Sequence, residues 1–149
     1  MSSPPPCPHR PHCPGCPRYG EGTLAPAAWD WLCRRAAEAG LTRPRLHDAP
    51  ALGHRHRARL AVRGDSSDPR IGLFEAGSHR IVATPRCAIH HARINEAASA
   101  LRESIGETGT IPYDDTTHRG VLRYVQLDVE RSTDRVQVVL VGRGETPES

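Results

Sequence analysis

The chain has 149 residues, enough for one domain, and is 37% hydrophobic but only 4% aromatic, so a core must rest on Val, Leu, Ile and Ala. Its net charge of +3 is too mild by itself to mark a nucleic-acid binder, and the longest apolar run, residues 138–141, is far short of the ~20 residues of a membrane helix. The first residues lack the charged start and apolar core of a secretory leader, so a cytoplasmic protein without a membrane partner is expected.

Residues 1–6 read as a flexible lead. Next comes a C-x5-C-x2-C cluster, Cys7, Cys13 and Cys16, in which each cysteine precedes a proline and Gly15 sits in the last turn. Thiolates are the ligands of structural zinc and of iron–sulfur clusters, while proline and glycine fix turns that aim several sulfurs at one point. Cys87 supplies a remote fourth thiol, the complement of a closed zinc site or a cubane cluster. An odd count of five cysteines also favours metal over disulfides. Cys7, Cys13, Cys16 and Cys87 are therefore the expected ligands, with the metal open at this point. His9 and His12, inside the loop, are expected to face solvent, and His90 and His91 stand where they can hydrogen-bond a ligand sulfur.

Residues 27–39 carry Trp29, Leu32, Cys33, Ala36 and Ala37 on a helical period that stops at Gly40, with Cys33 as a small core residue. Residues 41–52, containing Pro44 and Pro50, form a connector. Residues 54–63 alternate: Ala58, Leu60 and Val62 face one way, and Arg55, Arg57, Arg59 and Arg63 the other. That pattern predicts a half-buried strand with a row of cations on its open side. A turn over 64–69 leads into a strand at 71–75, and a short strand at 80–83 runs towards Cys87. Residues 95–105 predict a helix that aligns Ile94, Ala97, Ala98, Leu101 and Ile105 and is ended by Gly106 and Gly109. Strands at 121–129 and 135–141 make a second hairpin, and 142–149 read as a mobile tail. The expected fold is α+β, a largely antiparallel sheet of about five strands with two helices, one domain over 7–141, its cysteine loop tied to Cys87 by a metal centre.

All 20 basic residues are arginine, the side chain suited to forked phosphate contacts and base stacking. Six of them and three histidines fall between Arg43 and Arg63 against one acid, Asp48, which is the footprint of a surface for a polyanion.

The order of the cysteine cluster, a helix, Gly53-His54-Arg55-His56-Arg57-Ala58-Arg59-Leu60, the stretch from Ile71 to Val82, Cys87, Gly120-Val121-Leu122-Arg123 and the strand Gln137 to Val141 resembles the iron–sulfur-containing RNA uracil-5-methyltransferases that modify ribosomal RNA. The cysteine spacing is its most specific part. The resemblance implies that Cys7, Cys13, Cys16 and Cys87 hold a [4Fe-4S] cluster and that the strand around Arg55, Arg57 and Arg59 helps grip RNA; Arg63, on the same open side by alternation, is the fourth expected RNA contact. In such enzymes a methyltransferase domain binds S-adenosylmethionine and supplies the cysteine that attacks C6 of uracil, so that C5 accepts the methyl group. This sequence shows no strand with a glycine-rich turn and helix of the nucleotide-binding kind, and no cysteine suited to be that nucleophile. It is therefore expected to be a truncated or split portion that does not methylate alone, with no catalytic residue and no S-adenosylmethionine contact of its own, and with a separate methyltransferase domain or subunit as partner. The alternative is a module in which zinc holds the same four cysteines and the surface binds nucleic acid or protein.

Overall fold

The computed structural model describes residues 6–17, 19, 24–47 and 50–144. Most of the expected lead and tail lies outside the described residues. In chain order the elements are α1 (Pro26–Glu38), β1 (Arg57–Asp65), β2 (Asp68–Phe74), β3 (Ile81–Ala83), α2 (Ala92–Thr108), β4 (Leu122–Val129) and β5 (Val136–Gly142). The five strands form one sheet in the order β3-β2-β1-β4-β5, every neighbouring pair antiparallel. This is the α+β arrangement expected from the sequence.

Alternation along β1 builds the core. Ala58, Leu60 and Val62 point to the face that α2 covers and pack with Ile94, Ala98 and Ile105 of that helix. Ile71 from β2 and Leu122, Val125, Leu127 and Val129 from β4 complete the cluster, all of them aliphatic, as the scarcity of aromatic residues required. The helix runs three residues further at each end than its apolar period indicated. Gly106 is carried inside it, and Gly109, at φ 65°, takes the left-handed position that closes it. At Gly72 a close approach rather than a turn demands glycine: a Cβ there would lie 2.0 Å from the carbonyl oxygen of Val82, so β3 pairs with β2 only because no side chain intervenes.

Helix α1 differs from its sequence pattern. Of the expected apolar side, Ala36 is buried and Trp29 and Cys33 are half-buried, but Leu32 is exposed, as is Trp31. None of the described helices is long and apolar enough to cross a membrane.

Candidate metal centre and nucleic-acid interface

The cysteine loop is a chain of tight turns. The Cys13 N–H donates to the His9 carbonyl at 2.9 Å, and the Arg10 N–H to the Cys7 carbonyl at 3.3 Å. Gly15 lets the loop settle on the sheet, because a Cβ there would lie 2.9 Å from the Leu73 side chain. Its N–H points at the Cys13 sulfur from 3.4 Å. His12 pairs with Glu75 at 2.8 Å and pins the loop to the end of β2; Arg80 and then His12 hold the Glu75 carboxyl below its ordinary range. The expectation that His9 faces solvent fails. It is buried beside Cys7, and burial, followed by the charge of Arg86, holds its imidazole below the usual value.

Cys87 reaches the same place from the other side of the chain. The turn after β3 is fixed by the Thr84 N–H to the Ile71 carbonyl at 3.1 Å, and the Cys87 carbonyl accepts from the Asn95 side chain at 3.1 Å. All five cysteines are free thiols. Cys16 stands at the meeting point: burial pushes its thiol up, the charges of Cys87, Cys13 and Cys7 add to that, and Arg55 opposes them. Cys87, Cys13 and Cys7 are thus close enough to Cys16 for their charges to act on it, while Cys33 lies in α1. Among the described residues, however, no three His, Cys, Asp or Glu side chains close into a group that grips an ion. The four thiols have the donor chemistry of a thiolate-bound centre, but their arrangement does not form one.

The expected row of four cations divides. Arg57 and Arg59 are exposed on the sheet face that α2 does not cover. Arg57 pairs with Asp128 at 3.1 Å, and Arg59 lies over the Tyr124 ring, 4.8 Å from its centre. Arg63 is a correction: it is 7% exposed, not an open cation. Its guanidinium donates to Asp115 at 2.7 and 3.1 Å and to the Val62 and Arg123 carbonyls at 2.8 Å each. Phe74, Tyr113 and Tyr124 surround it at 5.1–5.6 Å. The stretch between α2 and β4 causes this burial. Residues 112–115 fold back beside β4, with the Tyr113 N–H on the Leu122 carbonyl at 2.9 Å, and carry Tyr113 and Asp115 over the arginine. Asp115 is held below the ordinary carboxylate value, first by the Arg63 hydrogen bond. Arg55 leaves the row altogether and joins the segment after Cys87, through a parallel bridge to His90.

No protein-family model matches the chain. It is 38% identical over 135 residues to an uncharacterized RNA methyltransferase of Protochlamydia amoebophila, an alignment that covers 91% of this chain and 34% of that protein. The relatives of this chain are RNA methyltransferases. The 23S rRNA (uracil(747)-C(5))-methyltransferase of Actinobacillus succinogenes is 30% identical over 147 residues, covering 88% of this chain and 38% of its own length. Among solved structures, the fold matches the tRNA (uracil-54, C5)-methyltransferase of Pyrococcus abyssi in complex with S-adenosyl-L-homocysteine, with a TM-score of 0.64 and 26% identity over 95% of this chain and 34% of that one. The chain therefore spans a little over a third of the length of these relatives.

Proposed function

We propose that this chain is the RNA-recognition portion of an RNA uracil-5-methyltransferase that acts on ribosomal RNA in the cytoplasm, with Cys7, Cys13, Cys16 and Cys87 holding a [4Fe-4S] cluster. The observation that carries the RNA reading is the helix-free sheet face, where exposed Arg59 rests on the half-buried Tyr124 ring and has no carboxylate partner among the described residues. A guanidinium held flat by a ring keeps its outer face for a nucleobase and its edge for phosphate oxygens. Arg57, one side-chain repeat away, donates to phosphate when it releases Asp128. Arg63, locked beneath, fixes the Tyr124 ring rather than touching RNA. A bound cubane cluster would supply a rigid link between the cysteine loop and the turn after β3. In this reading S-adenosylmethionine and the methyl-transfer chemistry belong to a separate methyltransferase domain or subunit.

Fluorescence anisotropy of a labelled single-stranded ribosomal RNA fragment tests the RNA reading. Affinity should fall steeply with salt, and Arg59→Ala should weaken binding about fivefold, the equivalent of roughly 1 kcal/mol of lost stacking, while lowering the salt slope by about one contact. Binding that is flat across salt and indifferent to Arg59→Ala would refute it.

A further inference from the structure

β3 covers only part of β2. It pairs with Gly72, Leu73 and Phe74, so the outer edge of β2 from Asp68 to Ile71 has no strand beside it. The Ile71 carbonyl accepts from the Thr84 N–H at 3.1 Å, and the Pro69 carbonyl accepts from Arg102 Nε of α2, also at 3.1 Å. Pro69 has no N–H to offer, so this edge is closed to a further strand. Between the edge, α2 and the turn after β3 lies a cleft of about 390 Å³, within the range of about 300–1,000 Å³ usual for small-ligand sites. Buried Ile71 and Ala98, half-buried Ile81 and Pro85 give it an apolar wall, and exposed Arg70, Arg102 and Ser99 line it as well. Asp68 lies between the two arginines, 3.7 Å from Arg70 Nε and 3.3 Å from Arg102 Nη2. All three side chains are more than half exposed, and ion pairs so long and so wet hold weakly. One carboxylate bridging two guanidiniums occupies the place of an anion and leaves one positive charge over. In the antiparallel register Arg70 stands opposite Arg63, so it rises from the helix-free face that carries Arg57 and Arg59.

We propose that this cleft is a nucleotide-binding site, in which a phosphate takes the place of the Asp68 carboxylate between Arg70 and Arg102 and the base lies on the apolar wall. A guanidinium fork meets two phosphate oxygens at once, whereas Asp68 reaches each arginine through one long contact. No aromatic ring lines the cleft, so a base is held there by burial, which does not tell one base from another. An extended peptide fits less well, because the edge lacks the N–H that strand addition needs at Pro69. The source of the nucleotide rests on the RNA reading above. Arg59 and Arg70 share one sheet face, so an RNA strand that stacks on Arg59 and follows the face to its β2 edge delivers a nucleotide to the cleft.

The test is a titration of the nitrogen-labelled chain with uridine monophosphate, followed by the NMR shifts of its backbone amides. The amides of Ala83, Ser99 and Arg102 should move together and saturate, and ribose phosphate, which lacks the base, should need about tenfold more to do the same. Ser99→Leu, whose side chain fills the cleft from an exposed helix position, should abolish these shifts. Asp68→Asn, which removes the competing carboxylate, should instead lower the nucleotide concentration required. The two variants move binding in opposite directions, so a loss of folding cannot imitate the pair. Cleft amides that stay still, or inorganic phosphate that matches uridine monophosphate at equal concentration, would overturn the nucleotide site. RNA binding that needs Arg59 while the cleft amides stay still sinks the cleft alone. Cleft amides that move with uridine monophosphate in a chain that binds no RNA sink the RNA reading and leave the nucleotide site standing.

Discussion

Replacing Asp115 by asparagine removes a charge and keeps a shape, and it isolates what holds Arg63 under the sheet. The carboxylate receives two hydrogen bonds, from Nε at 2.7 Å and Nη2 at 3.1 Å. Unit charges about 4 Å apart attract by about 4 kcal/mol at an effective dielectric near 20. The carboxylate is 25% exposed, and Arg63 keeps two backbone carbonyls and three aromatic rings. About half of the attraction should therefore be lost, a destabilisation of roughly 2 kcal/mol. With a urea slope of about 2 kcal/mol/M, the unfolding midpoint followed by circular dichroism should drop by about 1 M near neutral pH. Arg63 holds the Asp115 carboxyl below its ordinary value of 3.8, so the pair contributes in full above that value and is lost as pH falls through the lower folded value. The gap between wild type and Asp115→Asn should be constant around neutrality and close in acid. A midpoint that moves by less than roughly 0.2 M, or a gap that persists in strong acid, would refute the buried-pair account.

Gly72→Ala should be among the most damaging small changes in the chain. Its methyl group meets the Val82 backbone at 2.0 Å, and separating β3 from β2 should cost about 3 kcal/mol or abolish soluble protein, read by thermal melting and expression. Arg59→Ala, by contrast, should leave the melting temperature within about 2 °C of wild type, since an exposed side chain changes stability by no more than about 0.5 kcal/mol, so its effect on RNA is one of contact.

Much of the sheet was legible because hydrophobic alternation is a local signal. Ala58, Leu60 and Val62 announced both the strand and its buried side, while for β4 the sequence was read for the strand but not for its buried side, Val125, Leu127 and Val129. Helix α2 was legible from its period, though its length was not: Gly106 reads as a stop, and only packing on the sheet carries the helix past it. Arg63 was misplaced for a related reason. Alternation tells which side of a strand a residue faces and says nothing about what covers that side. Its cover is gathered from distant parts of the chain: the single phenylalanine, Phe74, two of the three tyrosines, Tyr113 and Tyr124, and Asp115. A clue was present in the concentration of so few aromatic residues on β2, β4 and the stretch before β4. Arg55 was misplaced because it falls before the strand, where pairing with the segment after Cys87 takes the place of the sheet register. Spacing and residue chemistry single out Cys7, Cys13, Cys16 and Cys87 as one expected ligand set, but among the described residues they do not close into a metal-holding group, and the burial of His9, which depends on how the loop packs, was not legible.

Iron, acid-labile sulfide and zinc content of anaerobically purified protein, with Cys87→Ser and Cys33→Ser beside wild type, tests the central claim most directly. The account predicts brown wild-type protein with about four irons and four sulfides per chain, lost in Cys87→Ser and retained in Cys33→Ser. Colourless protein with about one zinc, or a Cys87→Ser variant that keeps its iron, would contradict it.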